Sequence, residues 1–158
     1  MQMPSRDGLT TADGVSAMPR MIFVNLPVVD VMKATTFYEA IGFTKNPMFS
    51  NEQGSAMVWS DTIFVMLLEH GLYKTFTPKP IIDAHATSGV LLALSFDSRA
   101  DVDTITEAAI AAGGREAHEP EDHGFMYSRA FEDLDGHGWG PFFMDMAAAE
   151  TAFAGQTQ

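Results

Sequence analysis

Apolar residues change their spacing at defined points along the chain, and these changes predict the secondary structure. The apolar stretch from Met21 to Val29 predicts a buried strand. Asp30 follows as a helix N-cap, and Gly42 ends the helix. Three further strands are predicted over 43–48, 56–59 and 63–68. The buried helical face is expected to contain Ala34, Phe37, Tyr38 and Ile41.

The same order of elements begins again at Val90. Val90–Phe96 predicts a strand, and Ser98 with Asp101 three residues later resembles a capping box. A helix with Val102, Ile105, Ala109 and Ala112 on one face should then end at Gly113-Gly114. A short strand over 115–118 precedes a hairpin of 125–132 and 137–144, with Asp135-Gly136 in its turn.

The repeated order predicts an α+β fold of two βαβββ modules, 21–70 and 89–145, joined by a linker over 71–88. Residues 1–20 have no periodicity and are interpreted as a loosely held tail, and 146–158 as a terminal helix and tail. Two such modules side by side would curl their sheets into a half-barrel cup, which is where a ligand should bind.

Charge and composition exclude several classes of function. The 158 residues include 9 Lys and Arg against 21 Asp and Glu, a net charge of −12 that argues against nucleic acid as a partner. No apolar run approaches the ~20 residues of a membrane-spanning helix, and the first 20 residues do not resemble a secretory signal. We therefore expect a cytoplasmic protein. Without cysteine, disulfides and thiolate metal sites are excluded.

Arg129 is the most conspicuous candidate for ligand binding. If Glu132 pairs with His137 across the turn, Arg129 faces Gly140 and shares one side of the sheet with Tyr127 and Phe142. An inward arginine would bind a carboxylate or phosphate group. Alternatively, Arg129 lies at the sheet edge and pairs with Glu69 or Glu132.

The other polar motifs are interpreted as structural. His118 and His123 flank a stretch rich in charge that is more typical of a solvated loop than of a metal site, and the Asp133–Gly136 segment is typical of a hairpin turn. No phosphate-binding loop or activated serine motif is present, so no catalytic residue is assigned.

Three segments resemble the vicinal oxygen chelate superfamily of glyoxalases, bleomycin-resistance proteins and extradiol dioxygenases. They are Val28-Val29-Asp30, FYEAIGF at 37–43 and GFMYSRAFEDLDGH at 124–137. The likeness extends over about 21–145 and is greatest to bacterial proteins described as predicted lactoylglutathione lyases. It implies a glyoxalase-like cup, commonly in a homodimer, in which enzymes of the family hold a divalent metal with His and Glu side chains.

The four metal-ligand positions that this likeness implies fall on Phe23, Leu67, Leu91 and Gly140. None of these side chains offers a donor to a divalent ion, so we expect no metal and no other cofactor. The leading hypothesis is a metal-free cup that binds a small, partly apolar molecule, anionic if Arg129 faces it. The expected lining is Phe23, Asn25, Leu67, Glu69, Leu91, Tyr127, Arg129, Gly140 and Phe142.

Two alternatives remain open. One is a divergent metal-dependent lyase or dioxygenase whose ligands come from Asn25, Glu69, His118, His123 or His137. The other is a subunit whose cup is filled by its own phenylalanines and whose function is its dimer surface.

Overall fold

The computed structural model describes residues 19–154. Contacts within the chain divide it into two compact units between Ile81 and Ile82, inside the predicted linker. The predicted tail therefore lies outside the described residues apart from Pro19 and Arg20, which have no regular secondary structure. Residues 155–158 of the predicted terminal segment also lie outside them.

The first unit contains a βαβββ module followed by a short helix. Its four strands form one sheet in the order β1-β4-β3-β2, with β1 parallel to β4 and the other pairs antiparallel. Pro47, which lacks a backbone N–H, starts a 3₁₀ turn over Pro47–Phe49 and so ends β2 before the predicted boundary. The elements are β1 Ile22–Val28, α1 Val31–Ala40, β2 Thr44–Asn46, β3 Gly54–Val58, β4 Ile63–Glu69 and α2 His70–Tyr73.

Local sequence explains where α1 begins and ends. The Asp30 carboxylate accepts a hydrogen bond from the Lys33 backbone N–H at 3.0 Å and caps the helix. Gly42, with φ of +115°, reverses the chain after it. The predicted apolar face is confirmed, since Ala34, Phe37, Tyr38 and Ile41 are all buried.

The second unit repeats this arrangement. The central strand β10 pairs in parallel with β5 on one side. On its other side it pairs in antiparallel fashion with β8 and with β9. Strand β8 also pairs with β7, and β9 also pairs with β6. Ser98 caps α3 by accepting from the Asp101 backbone N–H at 3.1 Å, as the sequence predicts. The elements are β5 Leu91–Phe96, α3 Arg99–Ala111, β6 Arg115–Glu116, β7 Glu121–Asp122, β8 Met126–Ser128, β9 Phe131–Glu132, β10 Gly138–Met144 and α4 Met146–Ala154.

The hairpin before β10 has a different register from the predicted one. Glu132 pairs with Gly138 rather than with His137, and the Asp133 backbone N–H donates to the His137 carbonyl. The loop therefore has three residues, 134–136, ending in Gly136 at φ +90°. The predicted single strand over 125–132 is interrupted at Arg129, opposite Pro141, which has no N–H to donate.

The fold class is confirmed as α+β with two βαβββ modules. Among residues 19–154, no helix is both long and apolar enough to cross a membrane.

Candidate functional site

The first sheet has one face against α1 and an opposite face, called the open face below, on which Phe23 and Asn25 are exposed whereas Ala56, Phe64 and Leu68 are buried. The Thr35 and Ser55 hydroxyls hydrogen bond at 2.6 Å, which places α1 on the face that carries Ser55. Ser55 pairs with Leu67, and Leu67 pairs with Leu26, so all three share the helix face. Leu67 is completely buried there, and Glu69 has the same strand parity.

Phe23 and Asn25 lie on the open face of this sheet. They pair in register with Phe64 and Met66 of β4. The Phe23 and Phe64 rings stack with centroids 4.8 Å apart and planes 11° apart. Phe23 keeps 38% of its surface exposed, and Asn25 is exposed beside the stacked pair. The arrangement is an aromatic surface with a neighbouring amide.

The open face of the second sheet contains three of the predicted lining residues. Leu91 pairs with Gly138, and Gly140 and Phe142 follow on the same side of β10. Phe142 also pairs with Ser128, which places the even-numbered residues of β8 on this face. Leu91 is 79% exposed, so its side chain leaves apolar surface accessible.

Tyr127 and Arg129 lie on the helix face of the second sheet. Tyr127 pairs with Phe143, and the Arg129 backbone N–H donates to the Pro141 carbonyl at 3.1 Å. Both side chains bond to Asp103 of α3: the Tyr127 hydroxyl donates at 2.6 Å and Arg129 Nη1 at 3.1 Å. The expectation that Arg129 shares a face with Gly140 and Phe142 is therefore wrong.

Three carboxylates surround Arg129, and they are not those named as edge partners from the sequence. Its Nη2 lies 2.8 Å from Glu107 Oε1 and 2.7 Å from Glu116 Oε2, and Nε donates to Glu116 at 2.8 Å. Pairing with Glu69 or Glu132 is thus wrong; Glu132 instead accepts from Arg115 Nε at 2.6 Å. An anionic ligand was predicted only because Arg129 was expected to face it. Since Arg129 lies among these carboxylates on the helix face, that reason no longer holds.

Hydrogen bonds within this cluster shift the pKa values of Arg129 and Tyr127. Burial alone would lower the pKa of Arg129, but its hydrogen bonds to Glu116, Glu107 and Asp103 outweigh burial and hold that pKa above its ordinary value. The hydrogen bond to Asp103, together with burial, raises the pKa of the Tyr127 hydroxyl. Arg129 therefore stays a cation that is fully occupied by protein carboxylates.

A second arginine extends the cluster across the surface. The Arg99 guanidinium binds Asp122 through both of its terminal nitrogens, at 2.6 and 3.1 Å, and stacks 5.2 Å from the centre of the Tyr127 ring. Hydrogen bonds from Arg99 and from the Gly124 backbone N–H lower the pKa of the Asp122 carboxyl. This network joins α3 to β7 and β8.

The side chains at the implied metal positions do not fit a divalent ion. On the open faces these positions are Phe23, Leu91 and Gly140, and the register of β4 places Met66, rather than Leu67, beside Asn25. None of them supplies an oxygen or nitrogen donor. Within the described part of the chain, no group of three or more His, Asp or Glu side chains is arranged to hold a metal.

The histidines named as alternative ligands lie in separate environments. His118 Nδ1 is 2.8 Å from the Glu119 carbonyl oxygen, and His123 Nε2 is 3.7 Å from Glu121. Both rings are exposed, whereas His137 is buried beside the hairpin turn, where its backbone N–H donates to the Asp133 carboxylate at 2.9 Å.

The sequence interpretation missed the acidic partners of Arg129. Arg99, Asp103 and Glu107 follow one another at four-residue intervals, so they occupy one face of α3. This spacing was the available signal. It identifies a charged helix face, although only the hairpin register shows that Arg129 lies against it.

Comparison with known proteins identifies the family. The model of the Glyoxalase/Bleomycin resistance protein/Dioxygenase superfamily matches residues 20–140. The chain therefore belongs to this superfamily, as the three sequence segments predict. None of the curated proteins matches the chain.

Solved structures agree with this assignment. Hypothetical protein SA1046 from S. aureus is 25% identical, with a TM-score of 0.67 over 80% of this chain and 95% of its own. A family enzyme from Burkholderia phytofirmans PsJN is 17% identical, with a TM-score of 0.66 over 80% and 99%. A glyoxalase-related enzyme from Fulvimarina pelagi is 18% identical, with a TM-score of 0.65 over 80% and 88%. At such identities the last two show the fold alone.

Proposed function

We propose that the chain binds a small, partly apolar organic molecule, without a resident metal, in the cup that the family likeness implies. The observation that supports this most directly is the stacked Phe23–Phe64 pair on an open sheet face. Phe23 occupies a position where enzymes of the family have a metal ligand. A phenyl ring at that position cannot coordinate a metal ion, but it offers a surface that an apolar group of a ligand can contact.

The residues around the rings also favour a small-molecule site. Pockets for such ligands are largely apolar and contain a few polar groups that orient the ligand. Asn25 offers both an amide donor and an acceptor beside Phe23, and the half-buried Met66 adds apolar surface on the same face. Leu67, Glu69, Tyr127 and Arg129 have the opposite strand parity, so we assign the first contacts with the ligand to the open-face residues.

Metal independence is part of the proposal because of the donor chemistry. On β1 and β4, Asn25 is the one described open-face residue with an oxygen or nitrogen in its side chain. A single neutral amide is a poor basis for holding a divalent ion, which in proteins is bound by several carboxylate, imidazole or thiolate groups. A homodimer and a cytoplasmic location remain predictions from the sequence.

Binding can be tested with N-phenylnaphthylamine, an uncharged probe whose fluorescence rises in apolar surroundings. We expect saturable binding to the wild-type chain and an affinity about 2- to 10-fold lower in Phe23→Ala, given that aromatic contacts are worth about 0.5–1.5 kcal/mol. Circular dichroism should show that the variant is folded, because Phe23 is partly exposed.

Phe76→Ala is the matched control, since Phe76 is a 70% exposed phenylalanine outside the strands. It should bind the probe as the wild type does. Absence of saturable binding, or equal losses in the two variants, would contradict the proposed site.

A further inference from the structure

Gly140 lies inside β10, where a residue with a side chain would stabilise the strand better. We propose that Gly140 determines which ligands bind to the open face of the second sheet, because its missing side chain leaves room for a group of the ligand to contact the strand backbone. This inference rests on the proposed binding function and names the residue of the second module that limits the size of the ligand.

The backbone conformation at Gly140 does not require a glycine. A glycine inside a strand is costly, because it contributes no side chain to packing and loses more conformational freedom on folding than other residues. Gly124 and Gly136 need their positive φ, but the φ of Gly140 lies outside that region. Strand β10 also pairs with β5, β8 and β9 without an inserted residue, so Gly140 does not belong to a β-bulge.

Packing does not require a glycine at this position either. A β-carbon on Gly140 would have one described atom within 4 Å, the Arg129 carbonyl oxygen at 3.9 Å, and the residue is only partly buried. Gly138 on the same face is different, since a β-carbon there would come within 2.8 Å of Leu91 Cδ2. Close approach of a bound molecule is another reason for which strands contain glycine, and it is the one that fits Gly140.

The residues around Gly140 leave an accessible, apolar space. Phe142 lies two residues further along β10, about 7 Å away, and is half-buried. Leu91, which is 79% exposed, covers Gly138 two residues in the other direction. Ala93 pairs with Gly140 from β5 and is exposed. A group placed over Gly140 would thus contact the backbone below it and apolar side chains around it.

Two hydroxyl groups lie next to this space. Ser95 of β5 and Ser128 of β8 pair with Phe142 from its two sides, so their side chains have the same parity as Gly140. Ser95 is exposed and Ser128 is half-buried. A hydroxyl can both donate and accept hydrogen bonds and carries no charge. The ligand class that fits this surface is a compact apolar group with an uncharged hydrogen-bonding substituent, such as an alcohol or an amide.

Filling the space above Gly140 tests the inference in the full chain. Gly140→Ala, Gly140→Val and Gly140→Leu should raise the dissociation constant of N-phenylnaphthylamine in that order. We expect about tenfold or more in Gly140→Leu, because small differences of fit in an apolar pocket change affinity by roughly 10- to 200-fold. The melting temperatures should equal or exceed that of the wild type, since the added β-carbon meets no close neighbour and the strand loses its glycine.

Gly71→Leu is the matched control. Gly71 is exposed in α2, its φ is not positive, and a β-carbon there would make an ordinary contact of 3.4 Å with Glu69 Oε1. This variant should bind the probe as the wild type does. Competition by two alcohols of different size gives a second readout, in which Gly140→Leu should weaken the binding of naphthylmethanol more than that of benzyl alcohol.

The outcomes distinguish this inference from the function on which it rests. Saturable binding to the wild type with an unchanged dissociation constant in Gly140→Leu would overturn the role of Gly140 and leave the binding function intact. Weaker binding accompanied by a lower melting temperature, or by equal losses for the two alcohols, would also overturn it, because the glycine would then have a structural role. Absence of probe binding to the wild type would overturn both proposals.

Discussion

Arg129 holds together the most highly charged contact of the second module. Its side chain is 9% exposed, and its guanidinium reaches three carboxylates that come from α3 and β6. Because the carboxylates themselves remain partly exposed, their mutual repulsion is moderated by solvent but not removed. The arginine therefore stabilises the module mainly by neutralising charges that the fold brings together.

Replacing Arg129 should destabilise the protein more than replacing an exposed arginine. For Arg129→Met we expect a loss of about 1–3 kcal/mol in the free energy of unfolding, less than for a fully buried pair because Asp103 and Glu107 retain 48% and 64% exposure. Arg115→Met is the control, since Arg115 is 74% exposed beside Glu132 and should cost within about 0.5 kcal/mol. Urea denaturation measures both, and equal losses would contradict the role given to Arg129.

Some features of the Arg129 site were predictable from the sequence and others were not. A scarce cation next to a hairpin is visible in the sequence, and so is the four-residue spacing of Asp103 and Glu107. The face on which Arg129 lies was not, because it depends on whether the turn has three or four residues. Because successive side chains of a strand point to opposite faces of the sheet, one residue more or less in the turn moves the Arg129 side chain to the other face.

At the scale of elements, the hairpin turn shows how local chemistry sets that register. The Asp133 carboxylate accepts from the backbone N–H groups of Asp135 and His137, both at 2.9 Å, and Gly136 closes the three-residue loop with a positive φ. A β-carbon on Gly136 would come within 2.7 to 2.8 Å of the backbone of Ala84 and His85. The absence of a side chain thus lets the segment before β5 approach the turn.

Gly136→Ala should therefore be more destabilising than the same change at a glycine without neighbours. Gly124 is the matched site, because its φ is +81° but a β-carbon there meets nothing within 4 Å. We expect about 1–2 kcal/mol for Gly124→Ala from backbone strain, and about 1–3 kcal/mol more for Gly136→Ala from the clash. Urea denaturation of the two variants provides the comparison, and similar losses would contradict the close packing at Gly136.

The boundaries of α1 and α3 were predictable because they depend on short-range chemistry. Asp30 and Ser98 cap the helices that the sequence assigns to them, and Gly42 and Gly113 follow those helices with positive φ. The interruption between β8 and β9 required knowledge of the opposite strand, since its cause is the missing N–H of Pro141.

At the scale of the whole molecule, the repeated βαβββ order was sufficient to predict the fold, and the family model over residues 20–140 agrees with it. The candidate site was only partly predictable. Phe23, Asn25, Leu91, Gly140 and Phe142 have open-face parity, whereas the other lining candidates have helix-face parity. Which side of a strand faces a helix depends on contacts between distant segments, such as Thr35 with Ser55, and composition does not reveal them.

The most direct test of the central claim is probe binding by the metal-stripped protein. N-phenylnaphthylamine should be titrated into chelator-treated protein, alone and with Ni²⁺, Zn²⁺, Mn²⁺ or Fe²⁺ restored in turn. Metal-independent binding predicts saturation with the same dissociation constant in every sample, and an unchanged melting temperature when metal alone is added. Probe binding that requires one of these metals, together with a saturable rise in melting temperature on adding it, would contradict the account.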